Sequence, residues 1–394
     1  MSRLSARVQL PQPGRFNVRP LREPNLKSGA QTKLRSRGLG TAPDITRMRF
    51  IDLATDGGCS KKAPAIDLEN LLDDLVGRAP TAFMPDLNVA FPDSGRYSVG
   101  DTELLATVDV LFPMVPDPQD FGRVVVNHVL GDIYASFGTP KFALAHLGVP
   151  YGMDASSDVV TRMMAGALAE LSDAGVTLVG GHTLAKQTDL SLGFSVVGTP
   201  VPKNQTRARA PRPGDPMFLT KPLGSSVASI LWKTSAAKDD ELRDVLTEGV
   251  LKRSAAHADV LHQIGIEQCT DVTGFGLVNH AHRLLLRQGV AAQIAVADLP
   301  IYSSLGPYLD RGELPTTSLY FDNLSFAEKF SNAAALRSHP RAPLLFDAQV
   351  AGGLVFVLPV ENRSTTLQLF EQMGLTAQMI GHCIEGPAGK ILLA

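Results

Sequence analysis

The sequence predicts an α/β (α+β) protein built as two domains with mixed sheets. Three observations carry that expectation. The chain has 394 residues, more than one ordinary core accommodates. From about residue 64 onward, helical and strand patterns alternate. A Pro- and Arg-dense stretch, "GTPVPKNQTRARAPRPGD" at 198–215, interrupts the alternation and reads as a connection. The expected division is a leader over 1–47, one domain over 48–205 and a second over 206–394.

The elements follow in order. "PAIDLENLLDDLVG" opens on Pro64 and stops at Gly77, good punctuation for a short helix. "ELLATVDVLF" is rich in β-formers and reads as a buried strand. "DPQDFGRVVVNHVLGDIYASFG" follows as a helix, with Asp120 as its expected cap. In "SSDVVTRMMAGALAELSDAG" the residues Val159, Val160, Met163, Met164, Ala167, Leu168 and Leu171 share one helical face, and Gly175 ends it. "VTLVGGHT" reads as strand into glycine turn, and "LSLGFSVVG" as a strand. Beyond the connection come a strand in "PMFLTKPLG", a helix around 240–264, a turn at "TDVTGFG" and the helix "LVNHAHRLLLRQG". Late strands are expected in "AQIAVADLP" and "GGLVFVLP". There is no close internal repeat.

Charge is unevenly spread. Residues 1–50 hold eleven Lys and Arg against Glu23 and Asp44, leaving 26 basic and 37 acidic residues in the rest. The basic leader is rich in Pro and Gly without helical periodicity, so it reads as an extension; an organelle-targeting leader is the other reading. An acidic body without a basic stripe argues against nucleic-acid binding. No run of eighteen apolar residues exists, which argues against a membrane-spanning helix. Three well-separated cysteines, Cys59, Cys269 and Cys383, make no disulfide framework and suggest a reducing, cytoplasmic setting.

The chemistry-bearing residues are few. Asp93 ("FPDSG") and Asp271 ("CTDVTGFG") stand at turns, whereas Asp109 and Asp132 each interrupt an apolar run. A buried carboxylate needs a partner or a metal, and hard oxygen ligands suit Mg²⁺. Gly180 and Gly181 in "VGGHT" suit close approach of backbone to a phosphate or ribose, although the stretch is neither a P-loop nor a dinucleotide fingerprint. Cys59 lies in "GGCSKK", where Lys61 and Lys62 are expected to depress its thiol pKa. No zinc-site spacing and no serine-hydrolase elbow occur.

"GGCSKKAPAIDLENLL" resembles the glycine-rich N-terminal loop of the selenophosphate synthetase (selenide, water dikinase) family, in which a cysteine or selenocysteine precedes an essential lysine by three positions. "TVDVLFPMVPDPQDFGR", "GDIYASFGTP", "AGVTLVGGHT", "FLTKPLG", "TDVTGFGL" and "DAQVAGGL" continue the resemblance in order over roughly residues 50–394. It implies the two-domain fold of aminoimidazole ribonucleotide synthetase, a homodimer paired through its amino domains, and ATP bound there with Mg²⁺. The implied reaction turns ATP, selenide and water into selenophosphate, AMP and phosphate. It implies Cys59 and Lys62 as catalytic residues. Lys62, Asp109, Asp132, Gly180, Gly181 and His182 take the nucleotide positions, and Asp93, Asp132 and Asp271 the metal positions.

The chain departs from the family pattern at Pro92, where an acidic residue is usual, and at His128, where asparagine is usual. Ser60–Lys61 and "DAQVAGG" also differ. Two other readings therefore stand beside the first. One is a paralogue that phosphorylates another acceptor; the other is a non-catalytic dimeric regulatory protein.

Overall fold

A computed structural model of the protein describes residues 48–59, 61–78, 92–202 and 207–394. The leader, Ser60 and part of the expected connection lie outside the described residues. Helix α1 (Ala65–Arg78) starts directly after Pro64 and runs one residue past the expected stop. Strands β1 (Gly95–Val99) and β2 (Thr102–Leu111) form a hairpin. Helix α2 (Pro118–Ala135) is capped by Asp117, whose carboxylate accepts the Gln119 and Asp120 amides. The expected cap, Asp120, instead lies in the first turn, because Pro118 has the φ and the missing N–H that suit the first helical position.

Strand β3 (Gly138–Pro150), helix α3 (Asp158–Asp173) and strand β4 (Thr177–Gln187) make a parallel crossover, and β5 (Ser191–Pro200) returns between β2 and β3. The first sheet runs β1-β2-β5-β3-β4. On α3, Val160, Met163, Ala167 and Leu171 are buried as the periodicity requires, while Leu168 is exposed.

Strand β6 (Pro216–Leu219) opens the second half, followed by α4 (Ser225–Lys233), which the sequence reading did not anticipate. The single helix expected near 240–264 is two pieces: a π-helical turn at Val245–Val250 and α5 (Ala255–Gln263). Strand β7 (Thr270–Asp271), helix α6 (Gly276–Gln288), β8 (Ala291–Ile294), α7 (Leu319–Ala327) and β9 (Leu354–Val357) come next. Helix α8 (Arg363–Gln372), β10 (Gln378–Ile384) and β11 (Ile391–Leu393) complete the chain. The second sheet runs β11-β8-β10-β6-β9-β7.

Helix α2 positions the site. It is buried nearly all round, its polar residues Asn127 and His128 included. Phe121, Val125 and Val129 of α2 share one core with Leu231 and Trp232 of α4, Leu261 of α5 and Phe356 of β9. The two sheets therefore meet across α2, with first-sheet residues Leu111 and Phe194 in the same core. The face of the first sheet away from α2 is open. Tyr97, Val108, Val110, Leu144 and Leu184 are exposed there. No described helix is long and apolar enough to cross a membrane.

Candidate active site

The cysteine loop is tied to the end of β2, where the Gly58 amide donates to the Phe112 carbonyl at 2.9 Å. A turn closes from the Lys62 amide onto the Cys59 carbonyl, also at 2.9 Å. That turn sends its two lysines in different directions. Lys61 leaves the site, pairing with Asp189 at 2.5 Å and lying over the Phe112 ring. Lys62 turns inward, 3.5 Å from Oδ1 of Asp109 and over the Phe275 ring. Gly274 of the "TDVTGFG" turn permits this approach, since a Cβ there would stand 2.7 Å from Cδ of Lys62.

Cys59 is 4% exposed, whereas the Lys62 side chain keeps 33% of its surface. Burial, then the Asp109 carboxylate, pushes the Cys59 thiol up despite the opposing charge of Lys62. This corrects the expectation of a lysine-activated thiolate: one lysine points elsewhere, and desolvation outweighs the other. Sγ lies 3.2 Å from Nε2 of His128, one helical turn before Asp132 on α2. For Lys62, burial acts downward, but Asp109, Cys59, Asp132 and Asp271 outweigh it and the ammonium is held above its usual value. Asp109 shows the reciprocal effect. Burial acts to raise it, and the Lys62 charge brings it below the usual carboxylate range.

Beside this ion pair, Asp93, Asp132 and Asp271 each place a carboxylate oxygen within 4.8 Å of the others. They come from the turn before β1, from α2 and from β7. Thr270 donates to Asp93 at 2.7 Å, and Thr107 of β2 donates to Asp132 at 2.5 Å. Asp271 approaches α2 where Gly131 has no side chain; a Cβ there would stand 2.5 Å from Oδ2. Oδ1 of Asp271 is buried without a hydrogen-bond partner. Burial first, then the neighbouring carboxylates, pushes Asp132 and Asp271 well above the usual range. Burial likewise raises Asp93, against Arg287. Three acids that repel one another, one with an orphaned oxygen, fit a hard divalent cation by donor chemistry.

The structure thus gathers Cys59, Lys62, Asp93, Asp109, Asp132 and Asp271. It places Gly180, Gly181 and His182 elsewhere. They continue β4 as strand rather than turn, with Gly181 packed so that a Cβ would meet the Ala145 carbonyl at 2.5 Å. In strand order β4 is three spacings from β2, about 14 Å, and all three residues are exposed. The glycine pair looked like a turn because β4 lacks the half-buried alternation that marks a strand.

Thr107 and Thr270 join the site as residues that carry no local signal in the sequence, and His128, a departure from the family pattern, stands in it as well. Only His128 had a local signal, its spacing of four from Asp132. The other two thiols, Cys269 and Cys383, are buried; Cys269 donates to the Ala135 carbonyl.

Comparison with known proteins accords with this geometry. The family model for the N-terminal domain of AIR synthase related proteins matches residues 92–199, and that for the C-terminal domain matches 212–393. A selenide, water dikinase of Pelobacter propionicus is 31% identical over 355 residues, covering 88% of this chain and 99% of the relative. One from Pseudomonas straminea is 30% identical over 352 residues, covering 88% and 96%. Among solved structures, thiamine monophosphate kinase from Aquifex aeolicus has a TM-score of 0.59 at 20% identity, covering 82% of this chain and 96% of its own. The hydrogenase maturation protein HypE in complex with ATP has a TM-score of 0.52 at 17% identity, covering 88% and 94%. These structures share the fold. With the relatives matched almost end to end, the chain belongs to the selenide, water dikinase family, in the fold of the AIR synthase related proteins.

Proposed function

We infer that the protein makes selenophosphate from ATP, selenide and water, releasing AMP and phosphate, with Mg²⁺ held by Asp93, Asp132 and Asp271. The observation that carries this reading is the Cys59–Lys62 turn, closed onto Asp109 beside the three carboxylates. Phosphoryl transfer asks a protein mainly for positioning and for neutralisation of negative charge. Bound Mg²⁺ would supply charge and a template for phosphate oxygens. Lys62 supplies the protein's own cation: it is charged, partly exposed and oriented by Asp109, so it meets developing phosphate charge without leaving its partner. Cys59 supplies a soft donor for selenium one short turn away.

Gly180, Gly181 and His182 contribute to the nucleotide site from β4, and the protein works as a homodimer. The open face of the first sheet supports the second part of this reading. Tyr97, Val108, Val110, Leu144 and Leu184 form an apolar surface suited to a second copy. Anaerobic reactions with ATP, selenide and Mg²⁺, followed by phosphorus NMR and by chromatography of AMP, test the activity. Selenophosphate and AMP in equal amounts are expected. ATP consumed without selenophosphate would overturn the reading in favour of another acceptor, and no ATP turnover would favour a regulatory protein.

A further inference from the structure

We propose that His128 is a positioning residue for Cys59, fixed by the backbone of Ala351 in the tautomer that presents Nε2–H to the sulfur. The proposal deepens the reading of Cys59 as the reactive thiol and rests on it. Three contacts define the arrangement. Nε2 is 3.2 Å from Sγ of Cys59, Nδ1 accepts the Ala351 amide at 2.9 Å, and Nε2 is 3.5 Å from Oδ2 of Asp109. An imidazole whose Nδ1 is an acceptor carries its proton on Nε2 when neutral. That N–H has Sγ and Asp109 as its partners. His128 therefore gives a hydrogen bond to the sulfur and does not take the thiol proton at Nε2.

The backbone that sets the tautomer is itself held. Ala351 has a φ of 45°, a conformation that side chains other than glycine rarely adopt. Such a residue persists when its surroundings over-determine it, and such sites cluster where function needs them. Here Lys221 donates to the Ala351 carbonyl at 2.8 Å and to the Lys252 carbonyl at 2.6 Å. Ser225 accepts the Val350 amide at 2.8 Å, and Gln349 accepts the Gly224 amide at 2.9 Å. A loop from the second half, held by these hydrogen bonds, thereby sets which ring nitrogen faces a cysteine from the first.

His128 is wholly buried, and burial moves it down to about 4, so the ring is neutral near neutral pH. The charges that face it are Asp109, Lys62 and Lys221; those that face Cys59 are Asp109, Lys62, Asp132 and Asp271. Against desolvation and three carboxylates, a fixed N–H donor joins the Lys62 charge in favouring sulfur in its anionic form.

The test uses the full chain and reads alkylation of Cys59 by iodoacetamide against pH, with peptide mass spectrometry separating it from Cys269 and Cys383. His128→Asn keeps an acceptor where Nδ1 stands but has no donor at the Nε2 position. His128→Gln reaches that position with an N–H. For His128→Asn the midpoint is expected to rise by about one unit, which slows alkylation at fixed pH about tenfold. His128→Gln should return the rate to within about threefold of the parent.

Superimposable profiles for the parent and His128→Asn would overturn the proposal. So would equal shifts in both variants, loss of folding in both, or a parent Cys59 that stays unreactive until the chain unfolds. Alkylation requires neither ATP nor selenide. A failed dikinase assay with the expected alkylation pattern would therefore count against the function and not against the role of His128.

Discussion

The carboxylate centre at α2 and the exposed strand β4 are proposed to serve one nucleotide, yet they are built in opposite ways. In the centre, Asp93, Asp109, Asp132 and Asp271 are held by Thr270, Lys62, Thr107 and the gap at Gly131. On β4, Gly180, Gly181 and His182 stand exposed at the edge of the sheet. The centre is preorganised within one chain, and the strand needs something laid over it. On the proposed reading, the contrast separates charge neutralisation, which is costly to assemble and therefore prebuilt, from nucleotide enclosure, which is left to assembly and binding.

The largest expected effect falls on the prebuilt side. Lys62→Ala should lower AMP release about 10²–10³-fold, as loss of one preorganised charge donor does, while nucleotide still binds. A loss smaller than about tenfold would place the needed cation elsewhere and break the contrast. Asp132→Asn comes next. Calorimetry in Mg²⁺ should show ATP affinity weakened at least about tenfold, or about 1.4 kcal/mol. Without divalent cations the same variant should melt above the parent, because one of three mutually repelling acids has become neutral. A lower melting temperature would mean that the cluster is held by protons rather than awaiting a cation.

The third prediction bears on the open side. Val108→Lys places a charge in the exposed face of β2, and like charges brought together across an interface cost several kcal/mol. Sedimentation should show monomers, with Mg²⁺-dependent thermal stabilisation retained; a persistent dimer would move the interface off this face. The smallest effect belongs to Lys61→Gln. Its ion pair with Asp189 lies outside the centre, so stability should change by about 1 kcal/mol or less and AMP release by less than about twofold. A larger fall in activity would return Lys61 to the reaction.

What the sequence revealed of this site follows the range of each signal. Asp109 and Asp132 were legible because an acid inside an apolar run is a local anomaly with a physical cost. Cys59 and Lys62 were legible by their spacing in a glycine-rich loop. The state of the thiol was not, because burial is decided by α2 and the second half, far along the chain. Lys61 and Lys62 look equivalent in a string, and only the turn at 59–62 separates them. The tautomer of His128 depends on an amide 223 residues away, for which no local pattern exists. In the fold, the αβ alternation survived translation into structure. Helix α4 escaped notice because its serines and β-branched residues blur a helical period. The glycine pair of β4 misled because an exposed edge strand lacks alternation.

The bond between Thr270 and Asp93 spans 177 residues, and Asp271 beside it completes the trio begun by Asp93 before β1 and Asp132 on α2. During synthesis the first sheet emerges from the ribosome well before β7 exists. Until β7 docks, a nascent chain carries Asp93 and Asp132 without the third acid. Premature termination before residue 271 therefore yields a fragment that lacks the third acid of the trio. The trio is completed late, in an order set by chain topology.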